Sequence, residues 1–254
     1  MEAEGRTVVI TGGSGGICSA MAMALIERGD KVASLDIVHP NETPTTERFL
    51  FVRCDVAESS SVEEAVDAVV EKWGFPHVLV NGAAVSSYEE FHSSHPGMEM
   101  KVNYLGSMNL IHALLPVMLS RGEGYIHNIG SMLSLSGQKG MSGYLASKAA
   151  LAAFTRSLSI EIKGTGVFAT MFYPPLTRTD LTKGSGMPER MMADPIKVGR
   201  ALASKVGSSR HEEFPDLTAR LQASLLRWFP GLAANLIGSM IEPNDVQRPP
   251  DPRC

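Results

Sequence analysis

The sequence predicts an α/β protein: a doubly wound parallel sheet in three layers, α/β/α, with a helical C-terminal extension. Three observations carry that prediction. Short runs rich in β-branched residues alternate along the chain with longer segments of helical period. The strand-like runs are continuously apolar, as strands covered on both faces must be. A glycine-rich turn ends the first run and opens the first helical segment. Right-handed crossovers between such strands leave a ligand-binding edge at their carboxyl ends.

Taken in order, "TVVITG" (7–12) is the first strand, and "ICSAMAMALIERG" the helix that follows. "KVASLDIV" (31–38) and "RFLFVRCDV" (48–56) are strands, then "SSVEEAVDAVVEKWG" is a helix and "PHVLVNGA" (76–83) a strand. The next helix carries Met98, Val102, Leu105, Met108, Ile111, Leu115 and Met118 at spacings of three and four, as a one-faced helix requires. "GYIHNIGS" (124–131), "SGYLASKAALAAF" (142–154) and "GVFATMFYP" (166–174) continue the alternation. Beyond residue 206, a short strand precedes an amphipathic helix marked by Leu217, Leu221, Leu225 and Trp228, then a second apolar stretch. Residues 1–206 are read as the main domain, 207–242 as an extension of it, and 243–254 as a flexible proline-rich tail.

Composition narrows the function. With 254 residues, 44% of them hydrophobic, the chain can bury a large core. A charged fraction of 20% and a net charge of −4, with no dense Lys or Arg run, exclude disorder and nucleic-acid binding by bulk charge. Cys18, Cys54 and Cys254 are odd in number and lack metal-ligand spacing, as do His92, His95 and His127, so no metal is expected. Free thiols, a strand beginning close to Met1, and no apolar run near the ~20 residues that span a bilayer point to a cytoplasmic protein.

"TGGSGGIC" (11–18) carries the first chemistry. Gly12 and Gly16 permit a tight turn and close approach of backbone to a diphosphate, whose charge a helix N-terminus favours. The alternative is a glycine turn with no ligand. Asp36, 24 residues after Gly12, closes the second strand where a carboxylate accepts both ribose hydroxyls and repels a 2′-phosphate. No Arg or Lys lies in the loop or directly after Asp36, so NAD is expected over NADP. Asp55 is placed to meet an adenine amine or to cap a helix.

Tyr144 and Lys148 stand four positions apart, side by side on a helix. A free phenol near pKa ~10 needs a shift of roughly 3 units, about 4 kcal/mol, to work near neutrality. One cation at about 4 Å supplies on the order of 4 kcal/mol at an effective dielectric of ~20. Ser131 ends the fifth strand 13 residues upstream, within reach through a loop.

With these residues in view, the chain resembles the short-chain dehydrogenase/reductase family from residue 7 to about 206. The matching pieces are "TGGSGG", "CDV" (54–56), "VNGAA" (80–84), Asn103 in "KVNYLG", "NIGS" (128–131), "YLASK" (144–148) and "YPPLTRT" (173–179). The resemblance implies a Rossmann-like fold and catalytic roles for Tyr144 as acid/base and for Ser131 on the substrate oxygen. It implies that Lys148 lowers the Tyr144 pKa and holds the nicotinamide ribose, and that Asn103 anchors a relay water. The cofactor set it implies is Gly12, Ser14, Gly15, Gly16, Ile17, Asp36, Asp55, Val56, Asn81, Gly82, Ala83, Tyr144, Lys148, Pro174 and Thr179.

The chain departs from the family pattern at Cys18 (usually Gly), Gly82 (Asn), Ala84 (Gly) and Pro175 (Gly). Cys18 reads as a packing thiol or a redox sensor; Gly82 removes an amide that steadies the central sheet. Pro175 occurs in relatives acting on lipid-like ketones. The usual seventh strand ending "DGG" is not found, which puts the family's tetramer interface in doubt. Val85, Met132, Leu133, Leu135, Met141 and Leu181 are expected near the cleft, with 181–194 as a mobile lid. The C-terminal helix reads as a cleft cover, a dimer contact or, since its polar face is poor in Lys, last of all a membrane foot. The Ala-rich helix from Ser142 suits a homo-oligomer, dimer before tetramer. The expected activity is hydride transfer between NAD(H) and a small apolar secondary alcohol or ketone. A non-catalytic nucleotide sensor or scaffold, or an NADPH-linked lipid ketone reductase, are the alternatives.

Overall fold

Successive side chains of a strand leave on opposite faces, and the two layers of helices follow from that alternation. The computed structural model describes residues 5–40, 42–88, 97–183 and 185–240; the expectations for His92, His95, Cys254 and the tail lie outside them. The strands are β1 (Thr7–Thr11), β2 (Lys31–Asp36), β3 (Phe49–Arg53), β4 (Val78–Asn81), β5 (Gly124–Ile129), β6 (Val167–Phe172) and β7 (Glu212–Glu213). They form one parallel sheet in the order β3-β2-β1-β4-β5-β6-β7. The order reverses between β1 and β4, so their carboxyl ends diverge into a crevice there.

Val9 points to the face covered by α2 (Ser59–Trp73), α4 (Gly106–Arg121) and α5 (Ser142–Glu161). Val8 and Ile10 point to the other face, covered by α1 (Gly16–Glu27) and α6 (Pro195–Ala203). A Cβ on Gly199 of α6 would stand 2.6 Å from Ala20 Cβ and from the Ile17 carbonyl oxygen, so this crossing requires glycine.

The six expected strands are present but stop short of their apolar runs, at Thr11, Asp36, Arg53, Asn81, Ile129 and Phe172. The remaining apolar and small residues leave the ladder and line the crevice. The seventh strand, absent from the family-like reading, exists as the short β7 anticipated beyond residue 206.

Two helices correct the sequence reading. The short α3 (Gly97–Glu99), a π-helical segment (Met100–Leu105) and α4 run on as one helix. The wider turn rotates the register, so Met98 and Leu105 face solvent while Asn103, Met108, Ile111 and Met118 are buried. This helix of 25 residues is also long and apolar enough to cross a bilayer, contrary to expectation, although α4 packs its buried face into the core. In α7 (Leu217–Trp228), Ala219 and Ala223 are the buried residues, and Leu217, Leu221, Leu225 and Trp228 (80% exposed) point outward. The alanine face lets α7 lie close against residues 132–135, and Arg227 fixes it to Glu212 at 2.7 Å. α8 (Pro230–Met240) continues this surface with Leu232 and Leu236 exposed.

His127 on β5 is fully buried, stacked on Phe172 at 4.6 Å, and its Nε2 accepts the Gly207 N–H at 3.0 Å. Burial, helped by Arg6, pulls its pKa down to about 3. The unfolded chain binds a proton that the folded chain refuses, so His127 contributes stability above pH ~6.5 that is lost as pH falls toward about 3. His127→Gln, which keeps an acceptor, is expected to flatten the loss of thermal stability between pH ~6.5 and ~4. Melting curves across that range check it; parallel wild-type and variant slopes refute the assignment.

Candidate active site

The crevice is a cleft of about 700 Å³ at the carboxyl ends of the strands. On its nucleotide side, Gly12 has φ +66, and a Cβ there would lie 2.8 Å from the Ala83 backbone. Thr11 Oγ1 accepts both the Gly82 N–H (3.0 Å) and the Ala83 N–H (3.1 Å), tying the end of β1 to the end of β4. Thr11 was not singled out from the sequence, though its place before the glycines in "TGG" was the available signal. Gly15, Gly16 and Ile17 line the cleft, and no side chain caps α1, so its first N–H groups remain for an anion.

Asp36, Asp55, Val56, Gly82, Ala83, Pro174 and Thr179 also line the cleft. Asp36 is held by the Ser14 N–H (3.0 Å) and the Val38 N–H (3.1 Å), each on a different oxygen. Asp55 accepts the Ala57 N–H at 2.9 Å in a turn and does not cap α2, whose N-cap is Glu58. Thr179 covers the start of α1, its methyl 3.1 Å from where a Gly16 Cβ would be.

Three expected site residues stand elsewhere. Ser14 turns away, its hydroxyl donating to the Val38 carbonyl at 2.6 Å, and so locks the Asp36 loop without lining the cleft. Asn81 is still in the ladder and fully enclosed; its amide donates to Asn128 at 2.8 Å, and Asn128 donates to Thr155 at 2.8 Å. This chain steadies the sheet despite Gly82. Asn103 has no exposed surface: Oδ1 accepts the Val85 N–H (2.8 Å), while Nδ2 donates to the Val85 carbonyl (3.0 Å) and to Ser147 Oγ (2.9 Å). Its amide therefore clamps the loop after β4.

At the reacting end, Ser131, Tyr144 and Lys148 line one wall. Ser131 follows β5 directly, and α5 presents Tyr144 and Lys148 on its buried face. Lys148 Nζ donates to the Ile129 carbonyl at 2.8 Å and lies 5.9 Å from the centroid of the Tyr144 ring. Burial lifts the Tyr144 pKa to about 12, with a Ser131 hydrogen bond pulling the other way. Desolvation thus outweighs the acidifying pull expected of the neighbouring cation, to which an oxidised nicotinamide was expected to add. Burial also draws Lys148 down to about 8.

Cys18 lies beside these groups, 5% exposed, its thiol pushed up to about 12 by burial against the opposing pull of Lys148. A Cβ on Gly82 would stand 2.2 Å from its sulfur. The two departures from the family pattern thus complement each other: the thiol occupies the space that a side chain at 82 would need. A buried, protonated thiol is a packing group.

Val85, Leu133, Met141 and Leu181 line the cleft, whereas Met132 is buried in the core and Leu135 packs on it. The tight 3₁₀ turn Met132–Leu135 sends these neighbours in different directions. Tyr88, not anticipated, donates its hydroxyl to the Leu181 carbonyl at 2.8 Å and so ties the loop after β4 to the start of the 181–194 segment. No residue after Ser185 lines the cleft among the described residues, so α7 stands outside its lining.

A doubly wound sheet with a glycine-lined helix start facing its switch point defines a Rossmann-like class of α/β proteins. Within it, the family model described as short chain dehydrogenase matches residues 6–189, and the chain belongs to the short-chain dehydrogenase/reductase family of oxidoreductases. A 2-(R)-hydroxypropyl-CoM dehydrogenase from Xanthobacter autotrophicus is 34% identical over 192 residues, 70% of this chain and 77% of that protein. Carbonyl reductase family member 4 from Danio rerio is 33% identical over 203 residues, 77% of this chain and 84% of that protein. In fold, the chain is similar to a short chain dehydrogenase from Burkholderia cenocepacia in complex with NADP. That likeness has TM-score 0.75 at 24% identity, over 89% of this chain and 94% of the other. A 3-ketoacyl-(acyl-carrier-protein) reductase from Brucella melitensis complexed with NADH gives TM-score 0.74 at 21% identity, over 84% and 98%.

The Cys18–Gly82 contact is testable as a double-mutant cycle. Gly82→Ala is expected to destabilise by about 1–3 kcal/mol through overpacking, and Cys18→Ala in that background to recover part of the loss. Additive changes in denaturation free energy exclude the coupling.

Proposed function

We propose that the chain transfers hydride between a nicotinamide dinucleotide, NAD(H) in preference to NADP(H), and a secondary alcohol or ketone with an apolar body. The observation that carries this is the convergence of Ser131, Tyr144 and Lys148 on the cleft that also receives the uncapped start of α1. The residues fit the dinucleotide: Gly12, Gly15 and Gly16 present bare backbone to the cleft at the start of α1, and Asp36 is held by two N–H groups for a ribose diol. The lysines at the rim, Lys101 and Lys183, are paired with Glu58 and Asp180, which disfavours them as partners of a 2′-phosphate. When bound, the nicotinamide supplies or takes up the hydride and, oxidised, brings a positive charge. Ser131 holds the substrate oxygen. Tyr144, protonated at neutral pH, donates to that oxygen during ketone reduction. Lys148, oriented by the Ile129 carbonyl, keeps a cation behind the phenol.

The rival readings draw on the departures from the family pattern. The fit of Cys18 to Gly82 leaves the cleft open and so disfavours a retired, non-catalytic scaffold. An NADPH-linked lipid ketone reductase shares the site and differs in the Asp36 argument. A homodimer is proposed through α5, where Ser142, Ala146, Ala149 and Ala153 form an exposed row that lets a second copy approach closely. The buried thiols Cys18 and Cys54 suit the reducing cytoplasm.

Tyr144→Phe is expected to lower ketone reduction at least ~10³-fold while NADH binding stays within a few-fold; retained turnover refutes the mechanism. Fluorescence titration is expected to show NADH bound more tightly than NADPH, with Asp36→Ala narrowing the gap. Equal or reversed wild-type affinities refute the cofactor assignment. Because Lys148 is a cation only below about pH 8, kcat/KM for reduction is expected to fall as pH rises through that value. A flat profile from pH 6 to ~10 refutes it.

A further inference from the structure

Glu99, the last residue of α3, is a carboxyl group with 3% of its surface exposed. A carboxyl group so buried needs hydrogen bonds to offset its lost hydration. Its Oε1 accepts both the N–H (3.2 Å) and the hydroxyl (2.5 Å) of Ser87. Four residues further along the same helix, Asn103 holds the N–H and the carbonyl of Val85. Two buried side chains of one helix thus grip the loop after β4 at two points. Tyr88 follows directly, the last residue of that loop to be described.

The far end of Tyr88 is fixed as well. Its hydroxyl donates to the Leu181 carbonyl at 2.8 Å, and its half-buried ring packs against the cluster of Met141, Tyr144 and Leu145. Tyr88 and Tyr144 both line the cleft. They are near enough that the Tyr88 phenol adds slightly to the rise in the Tyr144 pKa, after burial. With its proton committed to Leu181, Tyr88 meets a ligand chiefly as an aromatic wall. A ring held through its backbone and at its tip does not swing aside cheaply, so its bulk acts on whatever binds next to it.

We propose that Tyr88 is a specificity-determining residue that bounds the space beside the reacting carbon, and that Glu99 positions it through Ser87. The preferred substrate then has one small substituent on its carbonyl carbon, and its apolar body extends away from Tyr88. The constraint is steric and applies whatever the charge elsewhere on the substrate. The inference rests on the hydride-transfer reading above and narrows its substrate class to methyl ketones and the matching 2-alcohols, ahead of ketones bulky on both sides.

The experiment compares 2-octanone with 4-octanone, isomers whose bulk lies on one side or on both sides of the carbonyl. It uses wild type, Tyr88→Ala, Tyr88→Phe, Glu99→Ala, Glu99→Gln and Ser87→Ala, with NADH and with NADPH. Wild type is expected to favour 2-octanone at least ~10-fold in kcat/KM. Tyr88→Ala is expected to shrink that preference at least ~10-fold, and Tyr88→Phe, which keeps the ring, to shrink it less. Glu99→Ala and Ser87→Ala are expected to shift the ratio the same way, and Glu99→Gln, which keeps an acceptor for Ser87, to stay near wild type. A merely structural Glu99 would lower both rates alike. Melting temperature and NADH affinity control for folding, and Ser87→Ala carries the positioning test if Glu99→Ala does not fold. A wild type indifferent to the two isomers, or a ratio unmoved by Tyr88→Ala, overturns the specificity assignment. A ratio unmoved by Glu99→Ala and Ser87→Ala overturns the positioning. Ketone binding to the enzyme–NADH complex, read by fluorescence quenching, reports the same preference without turnover. Isomers that bind but are reduced with neither cofactor overturn the hydride-transfer reading itself, and isomers that do not bind overturn both.

Discussion

Where β1 and β4 part, two backbones approach so closely that side chains are excluded, and the rest of the site is arranged around that contact. Thr11 stitches the strand ends together through two N–H groups, and Gly12 and Gly82 are the residues that the closeness demands. The sulfur of Cys18 fills what remains. With the gap closed on the inside, the helix start of α1 is left facing outward into the crevice, uncapped. The nucleotide side therefore follows from backbone geometry more than from any charged side chain.

On the opposite wall, burial governs. Tyr144 and Lys148 are both enclosed, so desolvation favours the neutral form of each, raising the phenol and lowering the amine. At neutral pH both groups hold their protons, and Lys148 sustains a local positive charge beside the phenol. Ser131 and the Ile129 carbonyl orient them, and the Asn103 amide braces the facing loop at Val85. The supporting polar groups act by holding backbone, which fixes the wall that carries Ser131, Tyr144 and Lys148.

The exterior follows a different logic. α7 seats its alanines inward with Leu226 packed against the core, and turns Leu217, Leu221, Leu225 and Trp228 to solvent. Close approach to the 132–135 turn favours small residues, and the hydrophobic stripe is left on the surface with α8 continuing it.

The sequence by itself determined the sheet, its handedness and the order of its chemistry. Apolar runs of strand length, helical spacing and a glycine turn are local signals, and each reports its own segment faithfully. Gly12, Asp36, Ser131, Tyr144 and Lys148 were legible for that reason, since each sits at a strand end or on one helix face. Tertiary structure decided whatever depends on which side a residue finally faces. The π-helical turn rotated Met98 and Leu105 outward, Asn81 stayed within the ladder, Ser14 turned to Val38, and α7 buried its alanines. It also set the balance between desolvation and the Lys148 cation, because that depends on distance and enclosure, which spacing along a chain does not contain.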